Sequence, residues 1–92
     1  MNLGKVIGTV VCTRKDERLE GLKLLVVRTL DIRGKNTDSY VVAVDTVQAG
    51  YGDTVLTVSG SSGRQTNLTD KRAVDAAIIG IVDTVQIHEE LL

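Results

Sequence analysis

The run Gly60-Ser61-Ser62-Gly63-Arg64 holds the residue types in this chain that come nearest to a chemical site. Glycines free the backbone, and the hydroxyls and guanidinium can donate hydrogen bonds to an anion. The spacing departs from the motifs that hold phosphate or attack a carbonyl. No Lys-Ser or Lys-Thr follows the last glycine, as a Walker loop requires, and no parallel βαβ pattern surrounds it. Gly-x-Ser-x-Gly is not formed either, so there is no nucleophile elbow. The run reads instead as a tight turn at a crowded junction between subunits. Gly60 and Gly63 take backbone positions that a Cβ would obstruct, while Ser61, Ser62 and Arg64 hydrogen-bond across the junction. Asp75 is a carboxylate suited to receive Arg64 from a neighbouring subunit.

The remaining reactive residue types are scattered. Gly50-Tyr51-Gly52 lacks the third glycine of a dinucleotide loop and reads as a turn. His88, the single histidine, precedes Glu89-Glu90, and nothing around it has the spacing of zinc ligands. Asp45, Asp75 and Asp83 are flanked by apolar residues. A general acid and base would need such carboxylates, but at strand ends an Asp commonly accepts backbone N–H groups in a turn. Cys12 shares an alternating face with Val6, Gly8 and Val10, which predicts a buried structural thiol. No nucleophile–base constellation can be assembled from these groups, so no catalytic residue, metal ligand or cofactor is expected.

The elements that carry these residues follow period two. Residues 5–13 read as a strand, followed by a charged tip at 14–18 with a single helical turn reaching Gly21. Residues 22–30 form a second strand with little polar relief, as expected where both faces are covered. Residues 31–39 hold Gly34, Asn36 and Asp38 and read as a hairpin loop. Strands are expected at 40–45 and 54–59, joined by the turn Ala49-Gly50-Tyr51-Gly52-Asp53. Thr69-Asp70 can cap a short helix through Val74, and residues 78–88 complete a fifth strand with a bulge or bend at Gly80. Val44-Asp45-Thr46-Val47-Gln48 recurs as Val82-Asp83-Thr84-Val85-Gln86, an echo attributed to shared strand-to-turn chemistry because the flanks differ. Five short strands and one brief helix predict an all-β fold, a small closed OB-like barrel that removes its own edges.

Length and composition point to self-association. A 92-residue chain is read as one domain, 1–92, and such a chain buries only about 60–65% of its unfolded surface. Hydrophobic residues nevertheless make up 42%, with two tyrosines as the only aromatic rings and one cysteine, which cannot form an internal bridge. Burial against copies of itself is the economical route to stability. The net charge of −1 gives no electropositive field for nucleic acid. OB-like barrels do commonly bind single-stranded nucleic acid or oligosaccharide, so that alternative stays open, although the aromatic stacking platforms are missing. The apolar stretch after Lys5 is short and broken by Gly8 and Thr9, unlike a signal peptide or membrane span, which makes the cytoplasm the expected compartment.

Several blocks, in order, carry a family resemblance. They are the opening 4–11, Thr13-Arg14-Lys15-Asp16-Glu17 with Leu19, Gly21 and Lys23-Leu24-Leu25, the 42–52 block, the Gly60 to Arg64 turn, and 74–83. Together they resemble the vertex proteins of bacterial microcompartments, the EutN/CcmL family. Gly63 stands where alanine is frequent in that family. The resemblance implies a non-enzymatic β-barrel protomer that forms a cyclic homopentamer. Such pentamers close the five-fold corners of a shell built from hexameric tiles, inside the cytoplasm, with no nucleic acid or membrane partner.

Overall fold

The computed structural model describes residues 1–60 and 75–92. Five strands form a closed barrel: β1 (Asn2–Val10), β2 (Leu24–Leu30), β3 (Asn36–Asp45), β4 (Thr54–Ser59) and β5 (Ala76–Ile81), in the order β1-β2-β3-β5-β4. All neighbours are antiparallel except β3 and β5, which run parallel from Val44↔Ala77 to Asp45↔Ile78. β1 closes the cylinder by pairing with β2 on one side and β4 on the other. This is the expected all-β, OB-like architecture. The expected helix through residues 70–74 lies outside the described residues. Among the described residues, no helix is long and apolar enough to cross a membrane.

The interior is aliphatic because the strands are β-branched and their single ring, Tyr40 of β3, faces outward. Val6, Leu25, Val27, Ala43, Val55 and Ile78 fill it at 2% exposure or less, and Ala49 plugs it from the β3–β4 connection. That connection is stitched to β1, since the Gly52 amide donates to the Val6 carbonyl and the Val6 amide to the Asp53 carbonyl. Gly52 has φ +83, so the turn needs glycine there.

Strand ends differ from expectation where the partner strand runs out. β1 stops at Val10, opposite Leu24, the first residue of β2, so residues 11–13 have no rung to join. β5 ends at Ile81 rather than 88. The Val82 amide still reaches the Thr54 carbonyl, at the first residue of β4, and beyond it the barrel offers no further partner. The hairpin loop is shorter than expected, and β3 starts at Asn36. The Asp31 carboxylate accepts the Arg33 and Lys35 amides, which pulls its pKa down, and Gly34 turns at φ +81. Extra β3 residues opposite Thr29 are stapled by the Thr37 hydroxyl, which donates to the Thr29 carbonyl.

Two expected local features are present. A single 3-10 turn occupies Glu17–Leu19, capped by Asp16, whose carboxyl is held at about 2 by hydrogen bonds from Arg18. A register shift in the β4–β5 ladder falls beside Gly80, the residue expected to mark a bulge. A second shift, between Val6 and Gly8, turns Ile7 outward to 46% exposure. The echoed segments are not equivalent: Asp45 is buried at a strand end, whereas Asp83 lies exposed past the end of β5.

Candidate assembly interface

Gly60 and Asp75 come together at one end of the barrel. Ser59 pairs with Ala76 in the last rung of the β4–β5 ladder, so both residues sit one position outside it, and both are exposed. Gly60 has φ +66, while a Cβ built on it meets nothing within 4 Å. Among the described residues, glycine is therefore required there for its backbone angle and not for space. Ser61, Ser62, Gly63 and Arg64 lie outside the described residues, so the pairing of Arg64 with Asp75 stays an expectation.

Asp45, the last residue of β3 and level with Ile78 in β5, braces the connection to β4. Its side chain is 2% exposed and accepts the Val47 and Ala49 amides at 3.1 and 3.2 Å. These bonds let Gln48 hold φ 60 and seat Ala49 in the core. Lys23 Nζ stands 3.9 Å away on the solvent side. Asp45 is thus a turn acceptor, as one of its two sequence readings had it. Asp45→Ala is expected to cost about 2 kcal/mol by stranding buried N–H groups. Thermal unfolding should then fall by roughly 8–16 °C. Asp45→Asn, which keeps an oxygen acceptor, should lose less than half of that.

The other reactive types are dispersed. His88 is exposed, with Nδ1 3.6 Å from Glu90 Oε1. Cys12 is half-buried rather than buried, because β1 ends before it and the chain peels away from the barrel. No group of three or more His, Cys, Asp or Glu side chains is placed to hold a metal among the described residues.

What the sequence reading missed is a bare outer face. Gly8, Val26 and Val42 occupy one row across β1, β2 and β3. Val42 is 49% exposed, and Ile7 stands beside the row. In the next row, Arg28 stacks 4.6 Å over the Tyr40 ring. The apolar character of β2 on both faces was the available signal. It was read as a strand covered on both sides; among the described residues the inward Leu25 and Val27 are fully buried, while the outward Leu24 and Val26 are only half-buried.

The fold defines the protein as a small closed OB-like β-barrel with aliphatic side chains on its outer face. Comparison with known proteins gives that fold a family. A family model described as ethanolamine utilisation protein EutN/carboxysome matches residues 1–83, and the chain belongs to this EutN/CcmL family. It is 54% identical over 86 residues to the bacterial microcompartment shell vertex protein GrpN of Rhodospirillum rubrum, covering 94% of this chain and 97% of that one. The solved structure of GrpN, a pentameric microcompartment shell protein, superimposes with a TM-score of 0.88 over 96% of this chain and all of its own, at 51% identity. The structure of CcmL from Gloeobacter violaceus gives a TM-score of 0.91 at 42% identity, covering 95% of this chain and 90% of that one.

Proposed function

We propose that this chain is a structural shell protein of a bacterial microcompartment in the cytoplasm. It assembles into a cyclic homopentamer that caps the five-fold vertices of the polyhedral shell. The observation that carries the reading is the match along nearly the whole chain to a pentameric shell protein. The physical need for partners agrees with it. Ile7, Val42, Ile81 and Val85 are 44–49% exposed, apolar surface that a monomer would leave in water. Hexagonal tiles alone make flat sheets, and a five-fold unit introduces the curvature that closes them. The function is therefore geometric, exercised through contacts with copies of itself and with the hexameric tiles around it. No reaction is catalysed and no cofactor is held. At the five-fold axis, the turn from Gly60 to Arg64 packs against its neighbours, with Arg64 of one subunit meeting Asp75 of the next.

Native mass spectrometry at micromolar concentration is expected to give a discrete pentamer. A hexamer would overturn the vertex role, and a clean monomer would overturn assembly altogether.

The same reading expects negligible nucleic-acid binding at physiological salt. An OB-like barrel binds oligonucleotides on the face of its second and third strands. Here that face offers a single ring, Tyr40, already covered by Arg28. Stacking needs free aromatic platforms beside surplus positive charge. Fluorescence anisotropy with labelled single-stranded DNA and RNA is the measurement. Saturable submicromolar binding at raised salt would replace the shell role with a binding one.

A further inference from the structure

We propose that an ion pair between Arg33 and Glu89 is a latch that ties the far end of the segment following β5 to the hairpin of its own protomer. The latch holds that segment as a strap over an open cleft, and rising ionic strength releases it. The inference goes beyond the pentamer reading, because both halves of the latch belong to one chain.

The strap begins where β5 runs out. The Val82 amide donates to the Thr54 carbonyl at 2.8 Å, its last backbone tie to the barrel, and residues 83–86 are exposed. The segment then closes into a 3-10 turn, Glu89–Leu91, in which the Leu91 amide donates to the His88 carbonyl. From that turn Glu89 Oε1 accepts Arg33 Nη1 at 2.9 Å, across 56 positions of sequence. Among the described residues, no other hydrogen bond or ion pair joins residues 83–92 to the barrel. His88 pairs with Glu90, inside the strap itself.

The other half of the latch is a fixed post. Arg33 belongs to the β2–β3 hairpin, where the Asp31 carboxylate accepts the Arg33 amide at 2.8 Å and the Lys35 amide at 3.0 Å. The Asp31 amide donates to the Lys35 carbonyl, and the Gly34 amide to the Asp31 carbonyl. The hairpin is thus braced on its own, and the strap is the part free to move.

Between post and strap lies a cleft of about 600 Å³. Leu3, Leu30 and Ile32 line it on the barrel side, and Val82, Val85 and Ile87 on the strap side. A space of that size keeps much of the two apolar linings apart, so charge rather than packing decides closure. Arg33 and Glu89 are themselves half exposed, at 50% and 61%. An exposed pair of this kind shifts an equilibrium by only about 1.5- to 5-fold and is screened by salt. Closed and open straps therefore coexist at low salt, and the balance moves to open as salt is added. Opening uncovers the apolar lining of the cleft.

The test is 15N relaxation on the full chain, read at the amides of residues 88–91. A held backbone gives order parameters near ~0.85 and a free one below ~0.6. Wild type is expected to be ordered at low salt and to lose order towards about 1 M salt, where charges are screened within ~3 Å. Arg33→Glu should lose that order at low salt, and the swap Arg33→Glu/Glu89→Arg should regain it. Lys35→Gln is the control, since Lys35 lines the same cleft but makes no ion pair among the described residues; its order should match wild type. A swap that fails to restore order overturns the inference, as does wild-type order that salt leaves unchanged. Equal loss in Lys35→Gln also overturns it, since general charge would then hold the strap. Native mass spectrometry of the same samples keeps the two readings apart. A monomer with a salt-sensitive latch overturns the pentamer alone, and a pentamer whose residues 88–91 ignore salt and Arg33→Glu overturns the latch alone.

Discussion

Gly4→Ala is expected to lower the thermal midpoint by roughly 12–24 °C, for a loss of about 3 kcal/mol. Gly4 is buried in β1 and pinned on both sides, paired with Thr29 in β2 and Val55 in β4. A Cβ there would collide with Val27 Cγ1 and stand 3.0 Å from the Arg28 carbonyl oxygen. Val27 is 1% exposed and part of the core, so its methyl has nowhere to move, and the carbonyl belongs to the ladder. Gly80→Ala is the control: its Cβ would lie 3.9 Å from Leu56, an ordinary contact, and the change should stay within about 1 kcal/mol. Circular dichroism melts at one fixed protein concentration read both, since an oligomer's midpoint depends on concentration. Adding Val27→Ala to Gly4→Ala should cost less than the two single changes together, because the colliding methyl is gone. A neutral Gly4→Ala would show that β1 does not approach β2 as closely as described.

Arg64→Glu is expected to dissociate the ring on dilution to nanomolar concentration while leaving the barrel's circular dichroism intact. Reversing the charge of a residue paired across an interface typically costs several kcal/mol, about a thousandfold in dissociation constant. Gly60→Val should act in the same direction, but at φ +66 it also strains the backbone. Gly60→Asn separates the two effects, since asparagine tolerates the left-handed region. If strain alone matters, the asparagine variant assembles normally. If neighbouring chains crowd this position, it weakens the ring as valine does. Analytical ultracentrifugation across a dilution series is the readout. Full assembly of Arg64→Glu and Gly60→Val at nanomolar concentration would place the junction elsewhere.

Fold class was legible because it depends on local pattern. Alternation and β-branching located all five strands, and β4 was placed at residues 54–59, where it lies. Boundaries were not legible, because a strand ends where its neighbour does. The end of β1 at Val10 and of β5 at Ile81 are set by Leu24 and Thr54, residues distant in sequence. The same limit explains Cys12: the strand meant to bury it had already ended, and the register shift between Val6 and Gly8 had moved its row off the face that Val6 buries. Asp45 was read from chemistry alone, since an acid at a strand end has few uses other than accepting turn amides.

Residue order alone determined a chain with many aliphatic residues for its length and blocks shared with the EutN/CcmL family. These follow from composition and spacing, which need no coordinates. The folded barrel decided which apolar residues stay outside. Val26 and Val27 are indistinguishable by type, yet one strand can turn only alternate side chains inward. Closure of the cylinder buries Val27 and leaves Val26 and Val42 on an outer face that the protomer's own described residues leave bare. It also sets Gly60 beside Asp75, because the last rung of a ladder joins residues that the sequence separates.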